Sequence, residues 1–296
     1  MASSESPPTI DPVAAAHWDR VAPAASPWLH EEVGRRMEER LQWIRRAPAQ
    51  WADWEPVRGG LQAHALVAQR YAQARSHVVE PQPRRAEVAR DKLARTWWKR
   101  IGAPAVEFGP VPAGSAQMLW SNMRLHMAAD PQALLRAWYD ALAIDGFLMF
   151  SCLGPDTLRE LRELYARAGW PPPAHEFTDM HDWGDMLVAA GYAEPVMDME
   201  RITLAFDTPE RLLAELRELG ANLHPARFAA LRGRAWRARL VDALDALRDS
   251  GGKLTLTFEI VYGHALKPLP RMQPGAASAV SLNDMRAMLR RDRKPE

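Results

Sequence analysis

Short apolar runs alternate along the chain with stretches in which apolar residues recur every three or four positions, the pattern of helices buried on one face. The first such stretch runs from Asp11 to Arg46, where Trp28, Leu29, Val33, Met37, Leu41 and Ile44 are separated by Glu and Arg. It predicts a helical segment lying over a larger body. The middle of the chain predicts strands at Gln50–Glu55, Ser76–Glu80, Ala105–Phe108, Met118–Ser121 and Gly146–Ser151. Between them it predicts helices at Leu61–Ala74, Arg84–Arg95 and Pro131–Ala143, with another at Asp156–Ala168. GFLMFS (146–151) is apolar without alternation, as a strand covered on both faces requires. Strands and helices in alternation imply an α/β fold with a mainly parallel sheet.

The last third has a different rhythm. A helix at Met180–Gly191, a strand at Val196–Phe206 and helices at Pro209–Leu219 and Pro225–Asp249 are expected. KLTLTFEIVYGH (253–264) follows, with Leu254, Leu256, Phe258, Ile260 and Tyr262 alternating against polar neighbours, the pattern of a half-buried strand. Two strands interrupted by a helical pair predict an insertion inside one domain. The expected organisation is a Ser/Pro-rich disordered start (1–12) and one domain over 13–268. That domain has an N-terminal helical segment (13–46) and a helical insertion (208–250). A basic flexible tail (269–296) with a short helix near Ser281–Arg291 completes it.

Composition narrows the function. With 47% hydrophobic and 25% charged residues the chain carries enough apolar material for a sizeable core, which excludes a mostly disordered protein. Lys+Arg is 38 against 37 Asp+Glu, so the net charge of +1 argues against a dedicated nucleic-acid binder. The single cysteine, Cys152, permits no internal disulfide and no Cys-rich zinc site. It points to a reducing compartment, and the cytoplasm is the expected location. MASSESPPTIDP has neither the basic nor the apolar region of a secretory signal. No apolar run approaches the ~18 residues of a membrane span, so no membrane is expected among the partners.

Open α/β sheets bind ligands beyond the carboxyl ends of their strands. The first strand leads into Asp53-Trp54-Glu55-Pro56-Val57-Arg58-Gly59-Gly60, and the second ends at Glu80. A carboxylate at that second end suits a ribose, because it can accept two hydrogen bonds from a diol. Asp179, His181, Asp182 and Asp185 look like metal ligands, but the spacing of Asp179 and Asp182 fits acids at a helix start, and no metal is expected. Cys152 reads as a small buried residue. Two basic sets, Arg84, Arg85, Arg90, Lys92, Arg95, Lys99 and Arg100 beside Trp97 and Trp98, and Arg232, Arg234, Arg237 and Arg239 around Trp236, could dock an acidic protein. Solvated helix faces, with Arg stems covering apolar surface, are the expected reading of both.

Several segments resemble class I S-adenosylmethionine (SAM) dependent methyltransferases of the BioC type, which methylate the free carboxyl of malonyl-acyl carrier protein. They are residues 28–50, LWSNMRLHM (119–127), DGFLMFSCLGPDTLRELR (145–162), FTDMHDWGDMLVAAGYAEPVMDMERITLAF (177–206) and LTFEIVYGHALKP (256–268). The resemblance implies a Rossmann-like sheet of seven strands with the last antiparallel. It implies SAM as cofactor, contacted by Asp53, Glu55, Gly59, Gly60, Glu80, Ser121 and Asn122. Arg124, His126 and Arg201 are the candidates for substrate binding, and an acyl carrier protein or another acidic protein is the implied partner. No catalytic side chain is implied: a carboxylate is already ionised at neutral pH, so positioning and exclusion of water suffice. The chain departs from the family at the glycine-rich loop after strand one. Asp53 stands at the loop's acid, but Glu55 and Val57 stand where glycines are expected. Two functions follow: O-methylation of a carboxyl group as in biotin synthesis, or a methyltransferase fold retained as a binding or assembly module without SAM.

Overall fold

The computed structural model describes residues 10–94 and 104–269. Seven strands form one sheet in the order β3-β2-β1-β4-β5-β7-β6. β1 (Gln50–Trp54), β2 (Arg75–Val79), β3 (Val106–Phe108), β4 (Ala116–Ser121) and β5 (Leu142–Leu153) are parallel. β7 (Leu254–Leu266) runs antiparallel between β5 and β6 (Ala193–Phe206). The strand order reverses between β1 and β4, so a crevice opens beyond their carboxyl ends. This is the sheet expected from the sequence.

Ten α-helices accompany the described strands, and their boundaries follow local chemistry. α1 (Pro12–Val21) starts at Asp11, whose carboxylate accepts from Val13 N and Ala14 N, with proline in the first turn. The continuous helix expected to Arg46 is broken at Ala22–Pro27, because Pro23 and Pro27 interrupt the hydrogen-bond ladder. α2 (Trp28–Arg40) then resumes. Arg36 and Arg40 of α2 pair with Glu200 and Asp198 of β6, each at 2.7 Å, and lay the helix across the sheet.

α3 (Pro56–Gly59), α4 (Leu61–Arg70) and α5 (Pro83–Leu93) follow β1 and β2. α6 (Pro131–Ala141) is capped by Asp130 and turns Leu135 and Trp138 into the core. α7 (Arg159–Arg167) and α8 (Met180–Ala189) lie between β5 and β6, and Asp179 caps α8 by accepting from His181 N at 2.7 Å. The acids of that segment therefore include a helix cap.

Between β6 and β7 stand α9 (Pro209–Leu219) and α10 (Arg234–Asp245). The sequence suggested that the second of these begins at Pro225. It begins at Arg234, with Gly233 as its cap, consistent with glycine's poor fit to a helix interior. β7 also differs from expectation. It is covered on both faces, with Thr257 2% and Glu259 6% exposed, because one face packs into a core with α7 and the other into a core with α8. The tail helix and the 95–100 part of the first basic set lie outside the described residues.

Candidate active site

The first strand passes into α3 through Glu55, whose φ of 60° and ψ of 51° are left-handed. A side chain in that conformation costs about 1–2 kcal/mol, which is why glycine is favoured there. The chain has thus kept the backbone turn of a glycine loop while placing a carboxylate on it. Glu55 N donates to Val79 O at 2.8 Å, fixing the turn against β2.

The Glu55 side chain is 7% exposed and sits between two guanidiniums. Arg85 Nη2 donates to Oε2 at 3.0 Å, and Arg124 Nε donates to Oε1 at 2.7 Å. Arg85 also donates from Nε to Glu80 Oε2 at 3.2 Å and from Nη1 to Asp19 O at 2.8 Å. Arg124 Nη2 reaches Asp19 Oδ2 at 3.2 Å, whereas its buried Nη1 has no partner among the described residues. Three carboxylates, of Asp19, Glu55 and Glu80, therefore share two guanidiniums. Burial, with Glu55 next in importance, pushes Glu80 up to about 7. Burial likewise raises Asp19.

The other residues expected around the cofactor are turned to neighbouring elements. Asp53 is 2% exposed, and its Oδ2 lies 2.7 Å from His64 Nδ1, joining β1 to α4. It faces the helix and not the crevice. Glu80 does stand at the end of β2, but its Oε1 accepts from Val57 N at 2.8 Å and its other oxygen is on Arg85. Asn122 donates to His30 O at 2.7 Å and to Gly59 O, and Ser151 Oγ donates to its Oδ1 at 2.6 Å, so it ties α2, α3 and β5 together. Ser121 is fully buried with an unpartnered hydroxyl. At Gly60 (φ 134°) an added Cβ would lie 2.8 Å from Glu31 Oε2. That same oxygen accepts from Gln62 N and Ala63 N at 3.1 Å, capping α4.

Two larger cavities flank this cluster. One, of about 500 Å³, lies beyond β4 and β5 and is lined mainly by apolar side chains, among them Leu29, Met123, Leu158, Leu161, Phe177 and Phe258. Three histidines in its wall are held neutral by burial: His30 is pushed down to about 3, His175 to about 4, and His126 well below its ordinary range. His126 Nδ1 accepts from Leu153 N at 3.3 Å, so it has a structural bond as well as a face on the cavity. Arg217 of α9, exposed and with no ion pair among the described residues, stands at the rim. The second cavity, a cleft of about 620 Å³, lies beyond β1, β2 and β3 between Trp54, Val79, Glu80, Pro81, Val111 and Ala137. Directly over Glu55, by contrast, only about 30 Å³ remains, bounded by Trp18, Arg85 and Arg124.

Among the substrate candidates, Arg124 belongs to the Glu55 cluster and His126 to the large cavity. Arg201 is apart from both, half-exposed on β6 and paired with Asp156 at 2.6 Å. Asp19, Arg85 and Arg217 are site residues that the sequence did not single out for this crevice. Arg85, taken there for part of a solvated basic face, is 3% exposed. In the second basic set, Arg232 lies 3.9 Å from the ring centre of Trp236, its stem covering an aromatic cluster with Tyr165 and Trp170.

No family model matches the chain. Curated relatives do: the chain is 40% identical over 268 residues to the malonyl-(acyl-carrier protein) O-methyltransferase of Laribacter hongkongensis, covering 87% of each. It is 38% identical over 271 residues to the enzyme of the same name in Gallionella capsiferriformans, covering 86% of this chain and 90% of that one. The chain belongs to the malonyl-(acyl-carrier protein) O-methyltransferase family. Its fold agrees with solved structures: a Bacillus halodurans protein described as a methyltransferase (TM-score 0.53, 13% identity, 79% of this chain and 100% of that one) and the YcgJ protein of Bacillus subtilis (TM-score 0.51, 14% identity, 80% and 99%).

The cofactor implied by this methyltransferase family has a nucleoside half and an amino-acid half, and the residues present fit them unequally. The cleft beyond β2, with Glu80 on its wall, has room for a nucleoside. The β1 loop does not accept an amino-acid group as it stands. Glu55 occupies it, only about 30 Å³ remains over it, and a second carboxylate would meet that of Glu55.

Proposed function

We propose that the chain is a SAM-dependent O-methyltransferase acting on the free carboxyl of an acyl group that is carried, through a thioester at its other end, on an acyl carrier protein, the activity its relatives are named for. The observation that carries this reading is the apolar 500 Å³ cavity beside the β1 loop. The space over Glu55 shares Trp18, His30, Met123, Met127 and Leu219 with it, so an acyl chain held there ends next to the cofactor crevice.

The acceptor carboxylate needs no base, since it is ionised at neutral pH. What the chain supplies is orientation and a dry wall. Arg217, a cation at the cavity rim with no ion pair among the described residues, offers a two-pronged grip on a carboxylate. The three wall histidines carry no competing positive charge.

Incubation of the full chain with malonyl-acyl carrier protein and millimolar SAM tests the proposal by intact mass. A carrier heavier by one methyl group is expected, with no change in an acetyl-loaded carrier that lacks a free carboxyl. An unchanged malonyl carrier would contradict the proposal and leave the fold as a binding module. Arg217→Ala is expected to lower kcat/KM about 10- to 100-fold, mostly through KM, the scale of one lost charge-assisted hydrogen bond. A change below about twofold would remove Arg217 from the site.

A further inference from the structure

We infer that Glu55 is a built-in occupant of the amino-acid half of the cofactor site, a carboxylate of the chain held where the ligand's own carboxylate would otherwise pair. The inference rests on the reading above that the cofactor's amino-acid group lies over the β1 loop. Three independent features support it. Glu55 holds the left-handed backbone of a glycine position, so its side chain is directed by the turn itself into the space the loop would leave open. Its two oxygens are held by Arg85 and Arg124, guanidiniums suited to any carboxylate at that point. Arg124 lines the remaining 30 Å³, and its buried Nη1 has no partner among the described residues, so its donors exceed what Glu55 and Asp19 satisfy.

The adjoining helix repeats the arrangement. The N-terminus of α4, a natural place for an anion, already holds the Glu31 carboxylate on Gln62 N and Ala63 N. Among the described residues, the cleft on the nucleoside side stays open, with about 620 Å³. The site thus discriminates between the two halves of one ligand. A nucleoside without a charged amino-acid tail enters the cleft unopposed, whereas a ligand with the tail must displace Glu55 from both arginines.

Titration calorimetry of the full chain with S-adenosylhomocysteine and with 5′-methylthioadenosine, which shares the nucleoside but lacks the amino acid, reads this directly. Glu55→Gly is expected to bind S-adenosylhomocysteine at least about tenfold more tightly than wild type, while its affinity for 5′-methylthioadenosine stays within about twofold. Glu55→Gln, which keeps the volume and removes the charge, is expected to show a smaller gain for S-adenosylhomocysteine alone, and it carries the comparison if the glycine variant does not fold. Equal gains for both ligands, or S-adenosylhomocysteine bound by wild type no more weakly than by the variants, would overturn the inference and leave the methyltransferase reading standing. Binding of neither ligand to any of the three proteins would overturn both.

Discussion

Arg85→Ala is expected to destabilise the protein by about 3–5 kcal/mol, the scale of breaking a buried ion pair from one side. Arg85 is 3% exposed and bonds Glu55, Glu80 and the Asp19 carbonyl, so its removal leaves Glu80 with no guanidinium bond and Glu55 with Arg124 alone. Arg85→Met, which keeps much of the volume, should lose nearly as much, because the loss comes from uncompensated charge and not from a cavity. The loss should shrink as pH falls from 8 to 6, since Glu80, already pushed up to about 7, then takes a proton more readily. Urea unfolding at the two pH values measures this. A loss below about 1 kcal/mol at pH 8 would mean that the Glu55 cluster is an exposed surface feature, for which such values are ordinary.

The second large effect is loss of stability in acid. His30, His126 and His175 are buried neutral around the 500 Å³ cavity, with pKa values lowered chiefly by burial. Unfolded, each takes a proton near its ordinary 6.5, whereas folded it does so only far below. The stability associated with each is therefore present above pH 6.5 and is lost as pH falls toward the folded value. Each contributes up to about 1.4 kcal/mol per pH unit in that window.

Glu80 acts with the opposite sign: its folded pKa of about 7 stands above its ordinary 4.5. Its contribution is full below pH 4.5 and lost as pH rises through 7. Asp19 and Asp53, also raised by burial, share that sign. The histidines outweigh this group near pH 6, so stability should peak near neutral pH and fall between 6 and 4. Replacing any one histidine by Gln should flatten the acid limb by about 1.4 kcal/mol per pH unit, and Glu80→Gln should steepen it. A flat profile from pH 7 to 4 would contradict the buried, neutral state of the cavity wall.

Much of the fold was legible in the sequence because its strands announce themselves. GFLMFS could only be a strand covered on both faces, and SHVVE could only end near Glu80. β7 is more buried than expected, since alternation reads as half-burial even where a second layer of helices covers the polar positions. The helix boundaries that slipped lie at prolines and at Gly233, where local chemistry overrides periodicity.

The site was legible at its corners and not at its centre. Glu55 stood out as a departure from a glycine pattern, but its partners come from residues 30 and 69 positions away, which no local pattern reports. Arg85 looked like one charge in a basic run. Its spacing of four from Ala89, the other buried residue of α5, was the available signal that it faces inward. Asp53 reads as ligand-facing because it is an acid at a strand end, and its pairing with His64 of α4 is not legible from that position. Trp51 packs on His64 in the core and Trp54 borders the open cleft, so neither indole fills the loop and its occupant is the Glu55 carboxylate.

The most direct measurement on this account is a crystal structure of the full chain soaked with S-adenosylhomocysteine. The account predicts the nucleoside in the cleft beside Glu80, the Glu55 side chain displaced from Arg85 and Arg124, and both guanidiniums turned to the ligand's carboxylate. A ligand fully bound in the crevice with the Glu55–Arg85 and Glu55–Arg124 pairs intact would contradict it.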